Sequence, residues 1–244
     1  MCAAVQNLHV HTPFSDGAHT IDELCEAHLR FAELPVAGIG IADHLFCTPS
    51  SLEVSSEREF ERLFAAETRR YVRAVHEARA RWRGRMQVFC GCEIYWPLNR
   101  PHLDTIRRSI DGLDYVLFEF IDWAGLTLLA NQARRWPCPV GLAHTDVTRS
   151  LPNTPMEQVV RTMANARIFY EVNAKLLPLE QHAPWFSLLP NHRVAITLGT
   201  DTHDDLGSIR LLKDLYSFIE RRGLDAKLLQ LRVNAGDSIP TPAA

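Results

Sequence analysis

Val36-Ala37-Gly38-Ile39-Gly40-Ile41-Ala42-Asp43-His44 decides the fold. Seven small or β-branched apolar residues run without alternation and stop at a charged pair. A strand with one wet face would alternate polar and apolar residues. A continuous run is the pattern of a strand covered on both faces, as in parallel sheets flanked by helices. Parallel neighbours need a crossover long enough to hold a helix, and both flanks supply one. Upstream, Thr20-Ile21-Asp22-Glu23 reads as an N-cap with a glutamate three residues on, and Leu24, His28, Phe31 and Leu34 carry a helix to Pro35. Downstream, 57 to 83 reads as a long charge-rich helix with Phe60, Leu63, Phe64, Tyr71, Val75 and Trp82 on its apolar side. Acidic residues interleave with its arginines, the pattern of a solvated face rather than a nucleic-acid track.

The same rhythm continues in both directions. Leu8-His9-Val10-His11 is a strand stopped by Pro13, and Ser15-Asp16-Gly17 reads as a turn. A third strand covers 86 to 94 and a helix 103 to 110. Tyr115-Val116-Leu117-Phe118-Glu119-Phe120 is a fourth strand, followed by a helix over 124 to 136. Val140-Gly141-Leu142-Ala143-His144 is the fifth, followed by a helix over 155 to 166 with Thr154 as cap and Pro155 in its first turn. Phe169-Tyr170-Glu171-Val172-Asn173 is the sixth, followed by a helical or irregular stretch over 178 to 189. Val194-Ala195-Ile196-Thr197-Leu198 is the seventh, followed by a helix over 209 to 222 closed by Gly223. Seven strand-helix units imply an α/β fold of parallel strands with right-handed crossovers. Periodicity alone does not choose between a closed barrel and an open doubly wound sheet. A single domain over 1 to 233 is expected, with a Pro- and Ala-rich tail over 234 to 244. The polar stretch 45 to 56 is long enough to be a lid or a site wall.

Composition is that of a globular protein: 244 residues, 46% hydrophobic, 23% charged. A net charge of -3 excludes bulk attraction to nucleic acid or an anionic membrane. There is no apolar run of membrane-spanning length and no basic-then-apolar leader, so a cytoplasmic protein without membrane partners is expected. The cysteines, Cys2, Cys25, Cys47, Cys90, Cys92 and Cys138, form no disulfide framework, which fits a reducing compartment.

The chemical signal lies where the strands end. His9 and His11, two apart, share a face of the first strand. His44 ends the second strand, Glu93 the third and His144 the fifth. Glu119 lies in the fourth, and Asp201 and His203 follow the seventh. C-terminal ends of parallel strands converge on one site. Singly, each residue has a structural alternative, such as an ion pair or a cap. Together, ionisable groups of this number are costly to bury unless paired or bound to metal. Neutral imidazole and carboxylate form the usual ligand set of Zn, Mn or Fe.

In order and type these residues resemble the PHP (polymerase and histidinol phosphatase) family of metallophosphoesterases. The opening motif is His9-Val10-His11-Thr12-Pro13-Phe14-Ser15-Asp16-Gly17, the second Ala42-Asp43-His44, and the third Gly91-Cys92-Glu93. Ala143-His144-Thr145 and Thr200-Asp201-Thr202-His203 follow. The resemblance spans residues 8 to about 204. It implies a distorted (β/α)7 barrel with the metal site at the C-terminal ends of the strands. It also implies two or three divalent ions. His9, His11, Glu93 and Asp201 hold one, Glu93 bridges to a second with His144, and Asp16, His44 and His203 surround the third. One position departs: relatives carry a histidine shortly after the fourth strand, and 114 to 122 has none. Glu119 is the first substitute ligand and Asp122 the second, and a carboxylate there tilts that position toward Mn or Fe.

Such a cluster hydrolyses phosphate esters by attack of a metal-activated water, with Asp16, His44 or His203 relaying a proton to the leaving group. The expected substrate is a small phosphomonoester. Among Arg149, Arg100 and Lys175, bidentate geometry favours an arginine as phosphate partner, and Arg149 is assigned that role. Asn173 is expected to orient a ligand or a water. Trp96, Trp123 and Trp185 either stack a ring at the rim or pack the barrel top. Three readings compete: a phosphodiesterase or exonuclease on short nucleic acid, a metal-binding regulatory domain with reduced catalysis, and an amidohydrolase-type barrel.

Overall fold

The computed structural model describes residues 4–45 and 56–232, and its first helix begins where the chain offers a capping box. The Glu23 N–H donates to Thr20 Oγ1 at 3.3 Å, and Glu23 Oε2 accepts from the Thr20 N–H at 2.8 Å. Two first-turn donors are thus satisfied locally, and the helix runs over Ile21–Phe31. Ser56 caps the long helix Glu57–Trp82, its Oγ accepting the Glu59 N–H at 3.2 Å. One helix start differs from expectation. Pro155 itself holds the N-cap position of Met156–Ala166 without a side-chain cap bond. Residues 179 to 186 form a 3₁₀ turn and the short helix Ala183–Phe186. The loop and tail expected at 46 to 55 and 234 to 244 lie outside the described residues.

Eight strands form one sheet: β1 (Val5–Val10), β2 (Val36–Ile41), β3 (Gln87–Cys90), β4 (Glu93–Tyr95), β5 (Val116–Glu119), β6 (Val140–Leu142), β7 (Phe169–Asn173) and β8 (Ile196–Gly199). Their order is β3-β2-β1-β8-β7-β6-β5-β4, parallel throughout. The two ends of that order are halves of one chain segment, so the sheet closes on itself. Seven strand units were expected; the third is present but broken at Gly91-Cys92. Its first half pairs with β2, Cys90 opposite Ile41, and its second half with β5, Glu93 opposite Leu117. The Gly91 N–H donates to Ile41 O at 2.8 Å, the Glu93 N–H to Asp43 O at 3.1 Å, and the Leu117 N–H to Cys92 O at 2.8 Å. The glycine at the break has a steric reason. The ring of Tyr115 fills the space that a side chain at 91 would need, and its hydroxyl donates to Leu8 O across the barrel at 2.6 Å.

Leu8, Ala42, Phe89, Tyr115, Leu117, Ala143 and Phe169 form a separate buried cluster, drawn from strands around the ring, and so fill the barrel. The larger core lies between strands and helices. Leu229 and Leu231 pack on the inner cluster, and the Gln6 amide exchanges two hydrogen bonds with the Leu231 backbone, at 2.8 and 3.0 Å.

Register in β1 aims the site. Asn7 pairs with Ile39 and Val10 with Ile41, so three steps of β1 face two of β2. This one-residue bulge resets the alternation. Leu8 stays in the barrel filling, and His9 and His11 also face inward, above it. Asn7 faces the helix Ile21–Phe31. Its Nδ2 donates to His28 Nε2 at 2.7 Å and to Thr200 Oγ1 at 2.7 Å, and His28 Nδ1 donates to Leu24 O at 2.7 Å. With one ring nitrogen donating and the other accepting, His28 must be neutral.

Burial pushes the His28 pKa down to about 4. A depressed histidine pKa stabilises the fold fully above the unfolded value near 6.5, and that contribution is lost as pH falls toward 4. Over that window, metal-free protein should lose up to about 3 kcal/mol more stability than its His28→Gln variant. Urea unfolding at stepped pH measures this, and parallel pH profiles for the two proteins would refute it.

Candidate metal centre

The inward turn after the β1 bulge sets His9 against Glu171 of β7. His9 Nδ1 donates to Glu171 Oε1 at 2.7 Å, and Glu171 Oε2 accepts the His144 N–H at 2.7 Å. Both residues are fully buried or nearly so. Gly199 of β8 makes room, because a Cβ there would run into the Glu171 carboxylate. A carboxylate on Nδ1 fixes the ring and leaves Nε2 as the free ligand atom, the arrangement that outer-shell carboxylates give metal-binding histidines.

Nε2 of His9 then lies 3.3 Å from Glu93 Oε2 and 3.7 Å from Asp201 Oδ1. His11 Nε2 lies 3.6 and 3.1 Å from the same two oxygens. Glu93 is the hub. Its Oε2 is also 3.4 Å from His44 Nδ1, and its Oε1 is 2.7 Å from His144 Nε2. Glu119 approaches from β5, 3.6 Å from His44 Nδ1 and 3.9 Å from His144 Nε2. On the outer side, Asp16 lies 3.5 Å from His11 Nδ1, 3.7 Å from His44 Nε2 and 3.4 Å from His203 Nε2. Three sets therefore have ligand atoms close enough to share an ion: His9, His11 and Glu93; His44, Glu93 and Glu119; and His11, Asp16, His44 and His203.

The structure thus brings all nine expected ligands into one cluster. The sets differ from the expected partition: Asp201 is not within the first, His44 rather than His144 joins Glu93 and Glu119 in the second, and His11 joins Asp16, His44 and His203 in the third. Asp122 is occupied elsewhere, accepting from the Gly125 N–H at 2.7 Å as a helix cap.

Whether these residues suit metal is decided by atoms left over. His44 Nδ1, both Glu93 oxygens, His144 Nε2 and both Asp201 oxygens are buried without a well-formed hydrogen bond. Buried polar atoms are normally satisfied, and orphaned ones cost about 1–3 kcal/mol each, more when charged. Six in one place, all ligand types, fit divalent ions. The charges point the same way. Burial opposes a charged His9, yet Glu171, Asp201 and Glu93 hold its pKa well above the imidazole range. Burial likewise opposes a charged Glu93 and a charged Asp201, but His9 and other cations hold both carboxylates low. His11 is pushed down to about 4 by burial, and burial with the neighbouring Glu93 charge raises Glu119 to about 7.

Around the cluster, Asp43 is not a ligand. It accepts from the Thr12 N–H and Oγ1 at 2.6 Å each, and from Ser15 Oγ at 2.7 Å, and so fixes the turn that carries Asp16. Arg149 does not lie where sequence reasoning put it. Its side chain is 87% exposed and pairs with Asp146, because the helix Val147–Ser150 turns it outward. Arg100 is also exposed. The cation at the cluster is Lys175, whose Nζ contacts Asp201 Oδ2. Asn173 Oδ1 accepts the Lys175 N–H at 2.8 Å, which sets that turn. Trp96 and Trp185 are buried and pack against Phe118 and Tyr170. Sequence reasoning missed Glu171, although a signal existed: Phe169, Glu171 and Asn173 share one strand face, and Phe169 is barrel filling.

The PHP domain family model matches residues 7–177, a stretch that begins before His9 and runs past Lys175. No curated protein matched in sequence. Among solved structures, the chain is similar to histidinol phosphate phosphatase from Lactococcus lactis subsp. lactis Il1403, solved with Zn, L-histidinol and phosphate. The TM-score is 0.60 at 16% identity, covering 88% of this chain and 93% of that one. It is also similar to a chain of archaeal ribonuclease P with mature tRNA, with a TM-score of 0.53 at 14% identity, covering 88% and 82%. At these identities the structural likeness speaks for the barrel, and the family match speaks for descent: the chain belongs to the PHP domain family.

Proposed function

We propose that the protein is a metal-dependent phosphoesterase that hydrolyses a small phosphomonoester. The observation that carries this reading is the set of six buried ligand atoms, on four residues from different strand ends, that meet one another and Lys175 in ion-pair contacts but make no well-formed hydrogen bond. Family membership and the likeness to a phosphatase solved with Zn and phosphate support it. In this reading His9, His11, Glu93 and Asp201 hold one ion. Glu93, Glu119 and His144 hold a second, with His44 within reach, and Asp16, His44 and His203 flank a third. Two or three divalent ions, Zn, Mn or Fe, would supply an acidified water and neutralise phosphoryl charge.

The chain's own residues do the rest. Glu171 keeps His9 in the tautomer whose Nε2 faces the cluster. Lys175 is placed to hold a phosphoryl oxygen, as a point charge rather than a fork. Asp16, with its side chain 55% exposed, lies beside His203 and His44 on the open side. There these three can pass a proton to the departing oxygen. No helix among the described residues is long and apolar enough to cross a membrane.

Hydrolysis of p-nitrophenyl phosphate with added Mn²⁺ or Zn²⁺ tests the reading. Wild type should turn over only with metal, and His9→Ala should lose at least about 100-fold. No turnover by protein whose metal content is full would sink it.

A further inference from the structure

Phe120 stands out beside the cluster. It follows Glu119 directly, at the C-terminal end of β5. Its backbone is in the left-handed region at φ 54°, where a bulky residue is uncommon and strained. Its ring is 61% exposed, the most exposed large hydrophobic among the described residues. Exposure and strain both weigh against an aromatic there on stability grounds alone. The two nearest rings belong to the site. Tyr95 lies edge-on at 5.5 Å between centroids, and the His144 imidazole edge-on at 6.1 Å. Tyr95 pairs with Glu119 across β4 and β5, so both aromatics rise from the rim next to Glu93 and Glu119. Lys175 supplies the charge at Asp201. The site thus has a charged floor for a phosphoryl group and an aromatic wall for whatever that group is attached to.

We infer that Phe120, backed by Tyr95, is a specificity-determining residue that stacks the planar leaving group of an aromatic phosphomonoester. The inference rests on the phosphoesterase reading and names its substrate class. An open ring face held by an edge-on neighbour is the geometry that offset stacking uses. Alanine substitution of such stacking partners costs about 5- to 150-fold in binding. An aliphatic ester would gain little from the wall.

Binding of non-hydrolysable probes separates this inference from catalysis. Metal-loaded full-length protein is titrated with phenylphosphonate and with methylphosphonate by calorimetry. Wild type should prefer the phenyl compound by about tenfold. Phe120→Ala should weaken phenylphosphonate alone and bring the ratio to about twofold or less, while Phe120→Trp should keep or widen it. Phe120 is exposed, so these substitutions leave the core intact, and an unchanged melting temperature checks this. A wild-type ratio near one, no binding of either probe, a ratio unchanged in Phe120→Ala, or equal weakening of both probes would each overturn the inference. Aryl preference with no hydrolysis of any ester would leave the stacking wall standing and sink the phosphoesterase reading instead.

Discussion

Glu93→Gln should lower kcat/KM for an aryl phosphate by at least about 1,000-fold, roughly 4 kcal/mol of barrier. It should also cost the protein at least one bound ion. The reason is the position of that carboxylate. Its Oε2 lies within 3.6 Å of ring nitrogens of His9, His11 and His44, and its Oε1 lies 2.7 Å from His144. It is the residue that joins two of the candidate ligand sets, the set with His9 and His11 and the set with His44 and Glu119. An amide of the same shape keeps the packing but removes the charge, and it turns an N–H toward at least one ring nitrogen or ion. Metal content by mass spectrometry and steady-state rates with saturating Mn²⁺ are the two measurements. Full metal occupancy with wild-type rates in the variant would mean that Glu93 is not a ligand.

The fold was legible in the sequence because its rule is local: an apolar run buried on both faces, then a helix, seven times. The break in the third strand was not legible. The two halves pair with different neighbours, β2 and β5, and the glycine between them faces the Tyr115 ring, a contact between residues 24 apart in sequence. Nor was the β1 bulge, although the two-residue spacing of His9 and His11 survived it. At the site, each candidate ligand except Asp16, which sits in a turn, marked itself as a polar residue in or just after an apolar strand. Second-rank residues did not, because what they do depends on direction rather than type. Arg149 and Lys175 both follow strands closely. A short helix turns the arginine into solvent, and Asn173 turns the lysine back over Asp201. Glu171 was visible as the only charged residue in β7, but its tie to His9 spans 162 residues.

Stripping the ions should lower the melting temperature by about 10 °C, because ions held at about 1,000 times their dissociation constant stabilise by about 4 kcal/mol. The metal-free cluster has a specific charge problem. Glu93 and Asp201 stay ionised in a buried site, against the cost of burial, because protonated neighbours hold them down. Burial opposes protons on His9 and His144 too, but the surrounding carboxylates raise both pKa values, that of His9 well above the ordinary imidazole value. At pH 7 the His9 ring therefore carries a proton in the metal-free protein, while His11, pushed down to about 4, is already neutral. A divalent ion must displace the proton on His9, so loading should release protons and affinity should fall as pH drops from 8 to 6. Calorimetric titration with Mn²⁺ in two buffers of different ionisation enthalpy reads the proton count, and thermal melts with and without chelator read the stabilisation. In Glu93→Gln the chelator shift should shrink to a few degrees, since the ions sharing that carboxylate have lost their common ligand. Proton uptake on loading, or a chelator shift as large in the variant as in wild type, would place the ions somewhere other than between β1, β4 and β6.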